Sequence, residues 1–284
     1  MSKTVLITDT DSNLPAHLVQ KYNIRLVPIT IHFGEESFTD NIEIQNSALF
    51  ERIDQTGKLP STAAPSPAAF ASAFQSAFEE GAESVICVCV GSKISRTYES
   101  ACVAVEDFPG RKITVIDSEY VSLGQGMMVL AAAETLAQGG THEEAVDIIH
   151  NHMGRFHLFG ALTTLKYLAL GGRVSNLAAG MADLFNIRPI LTMVNGKLDL
   201  LEKVRTHKAA MDRMVELITQ SVGEKPIEQC AIIHVLNLED AQKLEKLLRS
   251  KLDIPGEVLI TDFGPGLSVH TGKGFVGVVI LTKE

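Results

Sequence analysis

The stretch VICVCVGSKISRTYESA, residues 85–101, decides the fold class of the chain. Its opening run VICVCV is apolar and rich in β-branched side chains, which is typical of a strand buried on both faces of a parallel sheet. Gly91 ends the run, and a hydroxyl-rich segment then leads into a predicted helix. Backbone N–H groups and the positive end of the helix dipole are expected there, around Ser92 and Ser95, so this edge of the sheet favours an anion.

The segments on either side continue the alternation of strand and helix. TVLIT at 4–8 and ITVID at 113–117 are predicted to be short buried strands. Apolar residues recur at helical spacing in 47–57, 66–81 and 122–140. This order predicts an N-terminal α/β domain, residues 1–154, with a mostly parallel sheet and flanking helices. Ligands of such domains bind outside the carboxyl ends of the strands.

The pattern changes near residue 155. Asn195-Gly196 stands between two β-rich runs, which indicates a hairpin. Strand-like segments follow at 229–236, 256–261 and 275–282. We therefore predict a second α/β domain, residues 155–284, whose sheet is mixed or antiparallel, with a soft boundary between the two domains.

Composition narrows the classes of function. The 284 residues carry a net charge of -9, which argues against a nucleic-acid or anionic-membrane partner. The apolar stretch at the N-terminus is too short for a signal peptide, and no run approaches the length of a membrane span. The four cysteines show no CxxC or disulfide-like spacing. A reduced cytoplasmic protein without stable membrane insertion is the expectation.

Two hydroxyl residues are candidates for contact with the anion. Ser95 either donates to a bound anion or caps the helix that follows it. Thr62 precedes a helix whose start is marked by Pro65 and Pro67, a position where threonine more often serves a turn or cap.

His270 lies in the glycine-rich stretch TDFGPGLSVHTGKGFVG, residues 261–277, which we predict to be a loop between two strands. Glycines such as Gly272 allow a ligand to approach the backbone closely, and His270 can supply a hydrogen bond or a charge. GKGFVG at 272–277 matches the pattern GxGxxG, but the residues after it continue as a strand. A dinucleotide site is therefore not predicted.

The hypothesis of an enzymatic function has less support in the sequence. His150 and His152 fall on different faces of a helix, so no metal site is predicted. No cofactor is expected either. The Ser95 segment GSKISRT lacks the GxSxG elbow of serine hydrolases. A hydrolase or transferase that acts on a small acyl or phosphorylated substrate through Ser95 and His270 remains the alternative to a binding protein.

Two apolar segments have two interpretations. Met127 and Met128 with the alanines after them, and the small apolar residues around Arg173 within 165–191, suit either the core between the domains or the wall of a narrow pocket. An apolar tunnel that ends in a cradle of hydroxyls would fit an amphiphile with a small anionic head.

Seven segments together carry a family resemblance. They are LITDTDSNL, STAAPSP, GSKISRTYESA, VIDSEYVSLGQG, LKYLALGGRVS, IRPILTMVNGKL and SVHTGKGFVG. In this order they resemble the successive motifs of the DegV family of bacterial fatty acid-binding proteins. The resemblance covers nearly the whole chain, and the order of the motifs makes it specific.

The resemblance implies a carrier and not an enzyme. In the family, one long-chain fatty acid lies in a tunnel between two α/β domains, and its carboxylate is held by residues that correspond here to Thr62 and Ser95, with His270 near the same head group. Similar proteins in some bacteria present the acyl chain to a fatty acid kinase, which phosphorylates the bound carboxylate. The fatty acid is then the ligand, a kinase is a possible partner, and transient exchange with membrane lipid is compatible with such a carrier.

Further residues follow from the same resemblance. Arg173 and Arg205 fall on motifs that look like contact surfaces for the kinase, and a solvated salt bridge explains either arginine equally well. Three positions depart from the family pattern: Arg96 replaces a glycine beside the carboxylate, Ala63 replaces a hydroxyl residue, and Lys273 replaces a proline. Arg96 either adds positive charge to the head-group site or partly blocks it.

Overall fold

The computed structural model describes residues 3–172 and 187–283. Its strands are β1 (Thr4–Asp9), β2 (Arg25–Val27), β3 (Thr30–Phe33), β4 (Glu36–Thr39), β5 (Ser61–Ala63), β6 (Ser84–Cys89), β7 (Lys112–Asp117), β8 (Phe156–Ala161), β9 (Arg188–Val194), β10 (Lys197–Val204), β11 (Ile227–His234), β12 (Leu259–Asp262) and β13 (Val276–Thr282). Its α-helices are α1 (Ala16–Lys21), α2 (Asn46–Thr56), α3 (Pro67–Glu79), α4 (Thr97–Val105), α5 (Leu123–Ala137), α6 (His142–His152), α7 (Lys166–Gly171), α8 (His207–Val222), α9 (Leu238–Arg249) and α10 (Pro265–Thr271). A short 3-10 helix, Thr10–Ser12, follows β1.

The N-terminal half is built on a parallel sheet, as predicted. Its strand order is β2-β1-β6-β7, and every neighbouring pair is parallel. All residues of β6 are buried because helices cover both faces of the sheet. Val85 and Cys87 pack with α3 and α4, whereas Ile86 and Val88 pack with α5. The apolar run therefore contributes to two cores, one on each face of the sheet.

One β-rich segment is divided between two sheets. Residues 24–34 form β2, which belongs to the parallel sheet, and β3, which belongs to a separate antiparallel sheet with the order β4-β3-β5. Pro28 lies between the two strands and has no backbone N–H to donate to a continuous ladder. In the small sheet Thr62 of β5 is paired with Ile31 of β3.

The C-terminal half is built on a mixed sheet of order β10-β9-β8-β13-β11-β12. Only the β11–β12 pair is parallel among these described neighbours. Asn195 and Gly196 form the turn between β9 and β10, and both have positive φ, at 50° and 73°, as a type I′ turn requires. The predicted hairpin and the predicted α/β architecture of both halves are confirmed.

One apolar core crosses from the first half to the second. It joins Leu123 and Met128 of α5 to Leu158 of β8 and Ile233 of β11. Helices α8 and α9 cover the opposite face of the mixed sheet with a core of their own. The strands of the first two sheets all precede residue 118, and those of the mixed sheet follow residue 155. Because one core joins the two halves, a domain boundary at 154/155 stays a prediction.

Candidate functional site

A cavity lies between the two halves. The empty space in and around it is about 660 Å³, a volume that includes open solvent, and almost all of the lining is apolar. Ile94 and Val121 contribute from the first half, whereas Leu191, Phe263 and Phe275 contribute from the second. Polar lining residues among those described are Ser122, His270 and Thr271. An almost entirely apolar lining with a few polar side chains suits a flexible apolar chain that has one polar end.

The two methionines on α5 belong to the buried core. Met127 is 3% exposed and Met128 is fully buried, and both pack in the core that crosses the halves. Of the two interpretations of this segment, core packing is the one the structure supports.

His270 lies on a helix, so the prediction of a loop at this position is wrong. Pro265 occupies the first turn of α10, where its fixed φ favours a helix and its missing N–H costs nothing. The helix ends at Gly272, whose φ of +79° suits glycine. Glycine has a low helix propensity, so the glycine-rich sequence favoured a loop over a helix.

The structure brings His270 and Thr62 together. Nε2 of His270 lies 2.9 Å from Oγ1 of Thr62, although the residues are 208 positions apart in the chain. Both side chains are half-buried. The pair joins β5 of the small sheet to α10, and His270 also lines the apolar cavity.

Two glycines fit closely around this pair. A Cβ atom built at Gly171, at the end of α7, would collide with the His270 ring. A Cβ atom at Gly272 would collide with the Tyr167 ring. The N–H of Gly272 donates to the carbonyl of Ser268 at 2.8 Å, so this group closes α10. Sequence reasoning singled out Gly272 as a head-group contact and missed Gly171, although the adjacent glycines in LALGG were a visible signal.

Ser95 lies in the loop between β6 and α4. Its Oγ is 2.8 Å from Oγ1 of Thr97, in the first turn of α4. Ile94, its neighbour in the chain, lines the same cavity as His270. Ser95 is therefore the next residue after one that forms part of the cavity wall.

The backbone around Ser95 is less open to an anion than predicted. The N–H groups of Gly91, Ser92 and Ser95 donate to the carbonyl of Tyr120, to Oδ1 of Asp117 and to the carbonyl of Gly91, at 2.8, 3.0 and 3.1 Å. These three groups are therefore satisfied inside the protein, and the prediction that they are free for an anion is wrong. The hydroxyls of this loop are the better candidates for contact with a ligand.

The β9–β10 hairpin covers this loop from the second half. Nζ of Lys93 donates to the carbonyl of Asn195 at 2.7 Å. A Cβ atom at Gly196 would lie 3.4 Å from Cβ of Glu119. The hairpin turn therefore rests on the carboxyl edge of the parallel sheet and closes one side of the space between the halves.

Arg96 and Arg205 both lie at the surface. Arg96 has an 88% exposed side chain, and its Nε lies 3.5 Å from Oε2 of Glu99. Arg205 is exposed between β10 and α8. Arg173 lies outside the described residues.

The two other departures from the family pattern are Ala63, at the end of a strand, and Lys273, at the surface. Ala63 is the last residue of β5, directly after Thr62. Lys273 is exposed, and its carbonyl accepts a hydrogen bond from Oγ1 of Thr163 at 3.0 Å.

Three side chains that sequence reasoning missed hold the other end of α10. Oδ1 of Asn13 accepts from the N–H of Gly264 at 2.6 Å, and Oδ1 of Asp40 accepts from the N–H of Gly266 at 2.9 Å. Nδ2 of Asn46 donates to the carbonyl of Phe263 at 2.6 Å. We call Asn13, Asp40 and Asn46 the polar latch. All three are buried, and burial raises the pKa of the Asp40 carboxyl.

Asp9 supports the segment that carries Asn13. Its carboxylate accepts from the N–H groups of Asp11 and Val90, at 3.0 and 2.8 Å, and caps the 3-10 helix. Burial raises the pKa of Asp9 to about 6, although these hydrogen bonds and one from Gln125 oppose the shift. The next helix along the chain, α1, begins at Ala16 without a side-chain cap.

Residues 3–172 and 187–283 contain neither a metal-ligand cluster nor a helix that could span a membrane. No group of three or more His, Cys, Asp or Glu residues there is placed to hold a metal ion. No helix in the same part of the chain is both long and apolar enough to cross a membrane.

Comparison with known proteins gives the family. A family model described as "Uncharacterised protein, DegV family" matches residues 3–283. The chain belongs to the DegV family. A DegV domain-containing protein of Caldanaerobacter subterraneus is 31% identical over 283 residues, which cover 100% of both chains. Another DegV domain-containing protein, from Clostridium perfringens, is 30% identical over 277 residues and 96% of both.

Solved DegV structures share the fold. A DegV family protein from Thermus thermophilus, described by its fatty acid binding, has a TM-score of 0.91 and 28% identity, with 99% of this chain and 100% of that chain covered. DegV of Bacillus subtilis, described as a fatty acid binding protein, has a TM-score of 0.87 and 26% identity over 100% of both chains. Fatty acid binding is the property by which both of these solved DegV proteins are described.

Proposed function

We propose that this protein binds one long-chain fatty acid in the cavity between its halves, with the carboxylate near Thr62, Ser95 and His270. The observation that carries the proposal is an apolar cavity whose wall includes His270, itself bonded to Thr62. The fatty acid-binding descriptions of the DegV proteins from Thermus thermophilus and Bacillus subtilis support the same ligand class.

The cavity and the polar pair have separate energetic roles. Burial of the acyl chain contributes about 0.8 kcal/mol per CH₂, so the apolar lining supplies most of the affinity. The hydroxyls of Thr62 and Ser95 and the imidazole of His270 provide hydrogen bonds that fix the orientation of the carboxylate. A carboxylate held this way stays more accessible than one clamped by a bidentate arginine.

This accessibility suits presentation of the bound acid to a fatty acid kinase. Arg205 is exposed and available to such a partner, and Arg173 is a second proposed contact. Three of the four free cysteines are buried, which fits a reducing compartment, so the cytoplasm is the proposed location. Incubation of the loaded protein with a fatty acid kinase and ATP should yield acyl phosphate, and an unchanged acid would contradict the kinase role.

The alternative, an enzyme that uses Ser95 and His270, has weaker support. Nucleophilic catalysis requires the serine to be hydrogen-bonded to its base. Here Oγ of Ser95 faces Thr97, and Nε2 of His270 faces Thr62. The pairs in the described part of the chain therefore favour a binding site over a serine–histidine nucleophile.

The binding proposal is tested with delipidated protein and palmitate. Thr62→Val keeps the shape of the side chain and removes one hydrogen bond, so the Kd for palmitate should rise about tenfold. Thr219→Val is the matched control, because Thr219 lies on α8 and its hydroxyl donates to the carbonyl of Val215 in the same helix. Native mass spectrometry of the untreated protein should also reveal a bound fatty acid. Absence of palmitate binding by the wild type would contradict the proposal.

A further inference from the structure

Two glycines face each other on the sheet side of the apolar cavity. Gly160 of β8 is paired with Gly277 of β13, and both line the cavity. The positions two residues before and after each glycine carry buried side chains of the core that crosses the halves: Leu158, Leu162, Phe275 and Val279. Side chains alternate along a strand, so a large apolar residue is expected at both glycine positions too. The glycine pair therefore leaves a depression in the cavity wall.

The ring of Phe275 occupies this depression. A Cβ atom built at Gly160 would lie 2.6 Å from Cε2 of the ring, and one at Gly277 would lie 2.8 Å from its Cζ. Neither position can hold a side chain while the ring is there. The ring also stacks on Phe263, with 4.9 Å between the ring centroids and 20° between the planes. Contacts with two glycines and a second ring thus fix Phe275 at one place in the cavity wall.

The stacked rings lie away from the proposed head-group site. Phe263 directly precedes Gly264, the N-cap of α10, whereas His270 lies in the last turn of that helix. The helix spans about 10 Å at 1.5 Å per residue. A fatty acid whose carboxylate lies near His270 would therefore meet the rings with its acyl chain.

We infer that the Phe275 ring limits the length of the acyl chain that the cavity accepts. The ring fills space over the glycine pair that further CH₂ groups would otherwise occupy. A longer chain must displace a ring that is 5% exposed and packed on Phe263, and a close-packed interior leaves little room for this. The inference rests on the proposed function, because a fatty acid must first bind in the cavity.

The first test measures the Kd of delipidated protein for myristate, palmitate, stearate and arachidate. Wild-type protein should bind arachidate more weakly than palmitate. In Phe275→Ala the ratio of the Kd for arachidate to the Kd for palmitate should fall at least tenfold, because the vacated space buries the added CH₂ groups. Phe275→Leu should lower the same ratio by a smaller factor. Phe156→Ala is the matched control, since Phe156 is 7% exposed and belongs to the same core, but is outside the described cavity lining. It should leave the ratio within twofold of the wild type.

The second test moves the ring without removing it. The three atoms nearest to a Cβ built at Gly160 all belong to the Phe275 ring, so the methyl group of Gly160→Ala should push the ring into the cavity. The ratio of the Kd for stearate to the Kd for myristate should rise at least threefold. In a Phe275→Ala background the same change should alter this ratio less than twofold, because no ring is displaced.

The outcomes separate this inference from the proposed function. Equal ratios in the wild type and Phe275→Ala, both shown to be folded by thermal unfolding, would overturn the inference. Wild-type protein that binds arachidate as tightly as palmitate would also overturn it and would leave the proposed function intact. Absence of binding of every fatty acid by the wild type would contradict the proposed function itself. If Phe275→Ala does not fold, Phe275→Leu and Gly160→Ala decide the inference in the same way.

Discussion

The two ends of α10 are held in different ways. At the N-terminal end, the polar latch binds the backbone of residues 263–266 through buried side chains. At the C-terminal end, half-buried His270 bonds Thr62 and lines the apolar cavity. One helix of seven residues therefore joins a sealed structural contact to an open site.

The difference separates stability from binding. Latch bonds have both partners inside the protein, and loss of one partner leaves a buried backbone group unsatisfied. At the His270 end a ligand or water can replace a lost partner. We therefore expect substitutions in the latch to lower the free energy of unfolding, and substitutions near His270 to lower ligand affinity.

The largest effect is expected for Asn13→Gly. Asn13 has a φ of 58°, which glycine adopts without strain, so the change removes only the side chain. The carbonyl of Asp262 and the N–H of Gly264 lose their partners, which should lower the free energy of unfolding by roughly 2 to 4 kcal/mol. Urea denaturation measures this loss. Asn23→Gly is the control, since Asn23 is exposed and also has positive φ. The comparison would be contradicted if Asn13→Gly lowered the binding free energy of palmitate by more than it lowered the free energy of unfolding.

A second test uses pH to probe Asp9, whose carboxylate supports the segment that carries Asn13. Because the pKa of Asp9 is raised to about 6, the folded state holds this proton more tightly than the unfolded state. The resulting stabilisation is complete below about pH 4 and is lost as pH rises through about 6. Relative to Asp9→Asn, the wild type should lose at most about 3 kcal/mol of unfolding free energy between pH 4 and pH 7. Parallel stability curves for the two proteins would show that the pKa of Asp9 is not raised.

A third test addresses the open end. In Gly171→Ala the new methyl group would displace the His270 ring and separate it from Thr62. The Kd for palmitate should rise about tenfold, which corresponds to about 1.4 kcal/mol. In a His270→Ala background the same change should have almost no effect, since the ring is gone. Equal losses of affinity in both backgrounds would indicate that Gly171 acts independently of His270.

The two ends also differ in how far sequence could predict them. Local patterns identified β6 from its apolar run and the hairpin from Asn195-Gly196, because both signals depend on neighbouring residues. The latch has no local signal: Asn13 and Gly264 are 251 positions apart. Their contact depends on how the two halves pack.

At the open end, the family resemblance is what indicates Thr62 and His270 as ligand contacts. Position alone favours a turn or cap role for Thr62 and a loop around His270. Their hydrogen bond requires the short strand β5 and the short helix α10 to meet, and neither element has a strong periodic pattern. The charged neighbours Arg96 and Lys273 were prominent in sequence, yet both are exposed.

The smallest effect is expected for Arg96→Gln. The side chain is 88% exposed and its ion pair with Glu99, at 3.5 Å, is in solvent, where such pairs contribute little. The Kd for palmitate should change less than twofold, and the midpoint of urea denaturation should not move measurably. Because Arg96 is next to Ser95, a larger change in affinity would mean that its guanidinium turns toward the carboxylate when ligand binds. The open end would then extend from His270 across the cavity to the start of α4.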